Sequence, residues 1–234
     1  MKHLRQQLKI GFLVGAALTS SIVFAQGKVP VKVMTFPGGH DDDGFWTAIC
    51  AARDGRVYVG LCGHGGSARM YVYEPATKEI RHLASMQDAV HETHLGREPQ
   101  GKLHSQIQED PQGKIWWGTD MANHSYLNQW DSPLAYPGGH MMRYDPKTDH
   151  IDDLGIPFPG TGIRHLAMDA SRNRIYAVTF PTGDFHVYDM LTGRSTFKGR
   201  VNNCDSIARV MVIDDKGNVY GSFAPYRMFK YDIA

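Results

Sequence analysis

The chain has 234 residues, 42% hydrophobic and 21% charged side chains, and a formal net charge of +1. This composition is typical of a folded globular protein and gives no indication of disorder. No basic cluster follows residue 9, so the sequence excludes the electrostatic footprint of a nucleic-acid-binding protein.

The N-terminal segment has the pattern of an export signal. Lys2, Arg5 and Lys9 precede an uncharged stretch over residues 10–25. That stretch is shorter than the roughly twenty residues that a membrane span needs, and Ala25 supplies a small residue for cleavage. We predict a signal peptide over residues 1–25 and a periplasmic or secreted protein with no membrane contact after cleavage. The alternative is an uncleaved N-terminal anchor.

Three cysteines cannot all pair within one chain. If Asp54-Gly55 forms a two-residue hairpin turn, Cys50 faces position 59 and Cys62 faces position 47. We therefore expect no disulfide between Cys50 and Cys62. Cys204 stands at the start of a predicted strand, where we expect a buried thiol, with a metal ligand as the alternative.

A polar turn followed by an apolar strand recurs at residues 54–58, 112–116, 172–176 and 216–220. A Tyr-Asp or Tyr-Glu pair closes a later strand of each unit, at residues 73–74, 144–145, 188–189 and 231–232. Repeats of this kind are typical of the four-stranded blades of a β-propeller. We predict an all-β chain with blades at about residues 44–86, 101–155, 161–200 and 204–234, and insertions at residues 87–101 and 121–139.

The fourth unit ends where the other three turn and add an outer strand. One interpretation is that the four blades belong to a larger ring of six to eight blades. The alternative is a closed four-bladed ring in which an N-terminal strand within residues 26–39 supplies the missing strand.

Hairpin topology predicts which side chains share one end of the blades. Counting eleven residues back from the apolar strand positions 57, 115, 175 and 219 gives Trp46, His104, Arg164 and Ala208. The loops after the second strands begin at the same end and carry His64, Asn123, His124, Tyr126, Tyr136 and His140. Propellers bind ligands at the mouth of the central channel, so we predict a site there, with Trp46, His64, Asn123 and His140 contacting substrate. The alternatives are a structural histidine for His104, a tie between blades for Arg164 and a core position for Trp46.

Metal sites are weaker candidates, and no other cofactor is indicated. The acidic run 41–43 suits calcium, with a solvated loop as the alternative. His165, His186 and Cys204 would form a structural zinc site only if neighbouring blades bring them together. A lactonase-like channel metal would need several carboxylates or asparagines at the mouth, and the inner strands show few.

Three segments, residues 101–105, 123–124 and 138–146, resemble those of secreted bacterial propeller proteins related to ulvan lyase. The resemblance implies a seven-bladed propeller that cleaves an acidic polysaccharide by β-elimination with histidines, a tyrosine and an arginine. It implies catalytic roles for His104 and His124, for Arg164, and for a tyrosine among Tyr126, Tyr136 and Tyr144.

Elimination needs a base for the proton α to the uronate carboxylate, a group that stabilises the enediolate and an acid for the leaving oxygen. His104 or a tyrosine suits the base, with His124 and Arg164 at the carboxylate. The expected partner is an acidic polysaccharide or oligosaccharide. The alternative is a noncatalytic propeller that binds a glycan or a partner protein.

Overall fold

The computed structural model describes residues 31–39, 44–63, 66–92, 98–122, 136–201, 210–223 and 227–233. Almost all regular structure in these ranges is β-strand, arranged in successive antiparallel sheets. The four-bladed propeller arrangement expected from the repeats is confirmed.

Each blade is an antiparallel meander whose first strand is innermost. Blade one contains β1 (Ile49–Ala51), β2 (Val57–Leu61), β3 (Arg69–Glu74) and β4 (Glu79–Ser85), followed by the helix α1 (Met86–Ala89). Blade two contains β5 (Gln108–Glu109) and β6 (Ile115–Gly118) and, after the separate strand β7 (Gly138–Gly139), β8 (Met141–Asp145) and β9 (His150–Asp153). Strand β10 (Phe158–Pro159) pairs with β7 outside the blades.

Blade three contains β11 (Gly162–Asp169), β12 (Arg174–Phe180), β13 (Asp184–Asp189) and β14 (Ser195–Arg200), with a short 3-10 helix at Ala170–Arg172. Blade four has three strands in the described residues, β15 (Met211–Ile213), β16 (Val219–Phe223) and β17 (Arg227–Tyr231).

The turn between the first two strands has the same backbone feature in every blade. Gly55, Gly113 and Gly217 adopt φ angles of 87°, 84° and 93°, and Asn173 adopts 52°. Glycine and asparagine tolerate this left-handed region better than other residues, which explains why they recur there.

The turn of blade one is one residue longer than the sequence suggests. Ala52 N donates to Arg56 O at 2.9 Å, which leaves residues 53–55 as a three-residue loop. Cys50 therefore pairs with Tyr58 rather than with position 59. Cys62 lies opposite Gly44 rather than position 47. Both thiols are free, as expected.

Neighbouring blades enclose three hydrophobic cores, because side chains alternate between the two faces of each strand. Trp117 packs with Tyr58 and Met70 between blades one and two. Its neighbour Trp116 points the other way and packs with Ile163 between blades two and three. A third core between blades three and four contains Tyr176, Val178, Phe185, Met211 and Val219.

Arginines in the turns join successive blades at the end opposite the start of the inner strands. Arg53 Nε lies 3.2 Å from Glu109 Oε1, and its guanidinium also donates to the carbonyl of Asp110. Arg172 Nη2 donates to the carbonyl of Lys216 at 2.9 Å, while its Nη1 binds Asp169. Blades one and two and blades three and four are therefore tied through polar contacts as well as through their cores.

Residues 31–39 form no strand, and residues 26–30 lie outside the described part of the chain. A ring-closing strand from this segment stays a prediction. Phe36 packs against a small cluster of Val59, Leu61 and Tyr71 on blade one. Among the described residues, no helix is long and apolar enough to span a membrane.

We predict that Asp110→Ala lowers the free energy of unfolding by about 2–4 kcal/mol. The buried carboxylate of Asp110 accepts hydrogen bonds from the backbone N–H groups of Gln112 and Lys114 and from Trp116 Nε1, each at 2.9 Å. Loss of this carboxylate leaves the buried indole N–H of Trp116 without its hydrogen-bond acceptor. Urea unfolding measures the change, with Asp215→Ala on the exposed turn of blade four as control. Equal stability of the two variants would contradict this role.

Candidate functional site

Three blades present equivalent positions at the end where their inner strands begin, which we call the mouth. Gly44 lies opposite Cys62, Lys102 opposite Asp120, and Gly162 opposite Phe180. Two residues after Gly44, Lys102 and Gly162 come Trp46, His104 and Arg164. The spacing found in the sequence therefore corresponds to one structural position in three successive blades.

Trp46 and His104 form an aromatic pair at the mouth. Their ring centroids lie 4.6 Å apart with an interplanar angle of 34°. Trp46 is 44% exposed, whereas His104 is 4% exposed and its carbonyl accepts a hydrogen bond from the hydroxyl of Thr47. The imidazole thus supports an indole ring that stays accessible from outside.

Arg164 forms a buried ion pair with Asp120. Arg164 Nε lies 2.9 Å from Asp120 Oδ2, and the two side chains are 1% and 0% exposed. The guanidinium carbon also lies 3.8 Å from the ring centroid of Phe180. Burial raises the pKa of Asp120, and the charge of Arg164 opposes that shift. The arginine therefore ties blade three to blade two, which is the structural alternative that the sequence left open.

Local backbone features make room for this pair. The register of β11 against β12 shifts between Ile163 and His165, so Arg164 occupies a β-bulge that redirects its side chain. A Cβ at position 162 would overlap the carboxylate of Asp120, so only glycine fits there.

Lys102 adds a second cation beside Asp120. Its backbone pairs with that of Asp120 in both directions, and the residue is 3% exposed. Burial lowers the pKa of Lys102, and the charge of Arg164 lowers it further. Arg164 and Lys102 therefore both lie near Asp120, and Glu98 also acts on Lys102.

A second polar cluster lies in blade two around Gln100, which is fully buried. Its amide oxygen accepts hydrogen bonds from Thr119 Oγ1 at 2.7 Å and Tyr136 OH at 2.6 Å. Its amide nitrogen donates to Glu92 Oε2 and to the carbonyl of Gly138, both at 3.1 Å. Burial raises the pKa of Tyr136 well above its usual range, so this hydroxyl stays protonated.

His140 lies between two carboxylates of the same cluster. Its Nδ1 is 2.8 Å from Asp153 Oδ1, and its Nε2 is 3.4 Å from Glu92 Oε1. Burial alone would lower the pKa of His140, but the bonds to Asp153 and Glu92 raise it to about 9. The imidazole is therefore a cation at neutral pH, held in place by both partners.

Tyr144 lies away from the mouth. It pairs with Ile115 at the start of β6, whereas Asp120 follows the end of that strand. Its hydroxyl donates to Asp149 Oδ1 at 2.7 Å and accepts from Arg81 Nη2 at 3.1 Å. The structure thus gives Tyr144 a place in the packing between blades one and two and does not bring it to His104.

The proposed zinc ligands His165 and His186 lie on different strands of blade three. His165 on β11 is 1% exposed and faces Val178 across the ladder. His186 on β13 packs between Phe158 and Phe197, with ring centroids at 4.4 and 5.5 Å, and burial lowers its pKa. The described residues contain no group of three His, Cys, Asp or Glu side chains placed to hold a metal.

Several predicted site residues lie outside the described part of the chain: His64, Asn123, His124, Tyr126, Cys204 and the acidic run 41–43. Their roles, including the zinc and calcium sites, stay predictions. Four polar residues near the predicted site were not predicted from the sequence: Asp120, Lys102, Gln100 and Glu92. The available signal for Asp120 was its place directly after the second strand of blade two, where hairpin topology also returns the chain to the mouth.

No family model and no curated protein matches this chain. Solved structures that do match include the extracellular domain of a putative one-component system from B. thetaiotaomicron, at 18% identity and a TM-score of 0.53. The alignment covers 79% of this chain and 21% of that one, so the chain spans about a fifth of that domain's length.

Two further matches are a luciferin-regenerating enzyme and the mitotic checkpoint complex. The first has 16% identity and a TM-score of 0.51, with 78% of this chain and 57% of that chain covered. The second has 13% identity and a TM-score of 0.52, with 93% and 55% covered. Proteins with such different descriptions share only the fold with this chain, and that fold is the β-propeller.

We predict that the His140 cluster makes stability depend on pH. The pKa of His140 is about 9 in the folded protein and near 6.5 in the unfolded chain, so its contribution is complete below pH 6.5 and is lost as pH rises through 9. Unfolding free energies of the wild type should fall across this window by about 1–2 kcal/mol relative to His140→Gln, less than the full shift implies because Asp153 is partly exposed. The exposed His150→Gln serves as control. Parallel pH curves for wild type and His140→Gln would disprove the coupling.

Proposed function

We propose that this chain is an exported propeller that binds an acidic polysaccharide or oligosaccharide at the mouth. The observation that carries the proposal is the half-exposed indole of Trp46 stacked on the buried imidazole of His104. Aromatic rings pack against the C–H faces of sugar rings, and a ring already held by a neighbour loses little freedom on binding. Trp46 is therefore the expected sugar platform.

The charges near this platform favour an acidic sugar over a neutral one. Lys102 and His104 are separated by a single residue, and Lys102 and Arg164 both lie around Asp120. Asp120 and Glu98 oppose these cations, so the preference rests on the two basic side chains and not on a net charge. Basic side chains at this end can attract the carboxylates of an acidic ligand and orient them towards the mouth.

We predict that Trp46→Ala weakens binding of oligogalacturonate or ulvan oligosaccharide about tenfold or more, whereas Trp46→Phe retains most of it, because phenylalanine keeps a ring at the platform. Isothermal titration calorimetry measures both. Leu191→Ala, which removes an exposed apolar side chain from a turn of blade three, is the control. Wild-type protein that binds neither ligand, or equal affinities for Trp46→Ala and wild type, would overturn the proposal.

The second candidate function is β-elimination at the uronate residues of the same ligand. The observation in its favour is the position of His104, whose ring centroid lies 4.6 Å from that of Trp46; because the ring is only 4% exposed, elimination requires a ligand that reaches past the edge of the indole. A neutral imidazole there can remove the α-proton, after which the β carbon–oxygen bond breaks, a carbon–carbon double bond forms and the leaving oxygen takes up the proton from the imidazolium. Since Asp120 already pairs with Arg164, we assign stabilisation of the enediolate to Lys102.

For this second candidate, we predict that His104→Gln abolishes formation of unsaturated uronate but weakens oligosaccharide binding less than Trp46→Ala does, because the amide still packs against the indole but cannot act as a base. Ultraviolet absorbance of the unsaturated product measures the first quantity and calorimetry the second. Trp46→Ala should lose both. Folded wild-type protein that yields no product from ulvan or pectic oligomers would reject elimination and leave the binding function.

A further inference from the structure

A groove with a volume of about 330 Å³ lies on the outer side of blades three and four, between β14 and β17. Its size is within the usual range of small-ligand pockets, about 300–1,000 Å³. Its lining consists of residues 198–201, at the end of β14 and just after it, residues 228–231 of β17 and Phe185 of β13, and it includes aromatic, aliphatic and basic side chains. None of these residues belongs to the mouth.

The floor of the groove is a rigid aromatic cluster. Phe185 is 3% exposed, and its ring centroid lies 5.6 Å from that of Phe229 and 5.1 Å from that of Tyr231. Tyr176 supports the cluster from below, at 6.1 Å from Phe185 and 6.0 Å from Tyr231. Met228 at the edge is 71% exposed. The floor thus offers apolar surface that is fixed before any ligand arrives.

The wall formed by β14 contains a β-bulge. Phe185 pairs with Gly199 and His186 pairs with Phe197, so Lys198 is the extra residue on this strand. Gly199 has a φ of 146°, and no atom lies within 4 Å of where its Cβ would be. Bulges redirect side chains, and an uncrowded glycine lets a ligand approach the backbone closely. The bulge therefore displays Lys198 beside open space.

The rim of the groove contains basic residues, one of which is unbalanced in the described part of the chain. Lys198, Arg200 and Lys230 line it. Asp184 binds Arg200 Nε at 2.7 Å, and Asp232 pairs with Lys230. Asp214 also acts on Lys230, whose ammonium lies over the ring of Tyr220. Arg200 and Lys230 are therefore both balanced, whereas Lys198 has no ion pair among the described residues.

We propose that this groove is a second binding site for an acidic sugar residue, with its carboxylate at Lys198 and its ring against Phe229 and Tyr231. The proposal rests on the function proposed above and extends it to a second contact with the same class of ligand. A fixed apolar floor and a cationic rim match a uronate, which has a hydrophobic C–H face and one negative charge. A neutral sugar has no carboxylate that could form an ion pair with Lys198.

The test titrates the full chain with a short oligogalacturonate and with a neutral galacto-oligosaccharide of equal length. Calorimetry should show two binding events for the acidic ligand, and amide NMR should show shifts at Gly199 and Val201. Lys198→Glu or Met228→Glu should weaken one event about tenfold and remove those shifts, because each adds a carboxylate at the rim. Lys147→Glu, an exposed lysine on a turn of blade two, is the matched control.

The outcomes separate the two proposals. Loss of one event in Lys198→Glu and of the other in Trp46→Ala supports both sites. If Trp46→Ala removes all binding and Lys198→Glu changes nothing, the groove proposal is wrong and the mouth stands. If Lys198→Glu removes all binding and Trp46→Ala changes nothing, the groove stands and the mouth fails. Equal binding of the neutral oligosaccharide at the groove would refute the assignment to an acidic sugar.

Discussion

The arrangement of this chain depends on the alternation of side chains along strands buried on both faces. Trp116 and Trp117 are neighbours in β6, yet they pack in different cores, one on each side of blade two. Blade two buries both faces because it packs against blade one on one side and against blade three on the other. The same constraint fixes the positions of the inner strands and therefore brings Trp46, His104 and Arg164 to one end.

The repeat was predictable from the sequence because turn chemistry and strand pattern recur at the same offsets. Gly55, Gly113 and Gly217 mark the turns, and the following apolar residues mark the second strands. The register between paired strands was harder to predict from the sequence. Asp54-Gly55 reads equally well as a two-residue or a three-residue loop, and only the hydrogen bond from Ala52 to Arg56 decides between them. The longer loop accounts for the partner of Cys50, and a further shift of two residues along the first strand places Cys62 opposite Gly44.

The site was predicted in outline only, because direction and burial of side chains depend on long-range contacts. Counting residues identified Arg164, but its pairing with Asp120 depends on a bulge and on the absence of a side chain at Gly162. Contact of His140 with substrate stays a prediction, but its ring is held by Glu92 and Asp153, which are 48 and 13 residues away in the chain. No local sequence pattern identifies hydrogen-bond partners that lie so far away in the chain.

The turn arginines give the two ends of the blades different tolerance to change. Arg53 and Arg172 attach their blades to the next turn through backbone carbonyls, so the identity of the neighbouring side chain is irrelevant to that bond. The end of the blades that carries these arginine contacts can keep its geometry while the loops at the mouth change in length or in sequence. New ligand preferences are therefore accessible to this architecture through loop variation alone, without repacking between sheets.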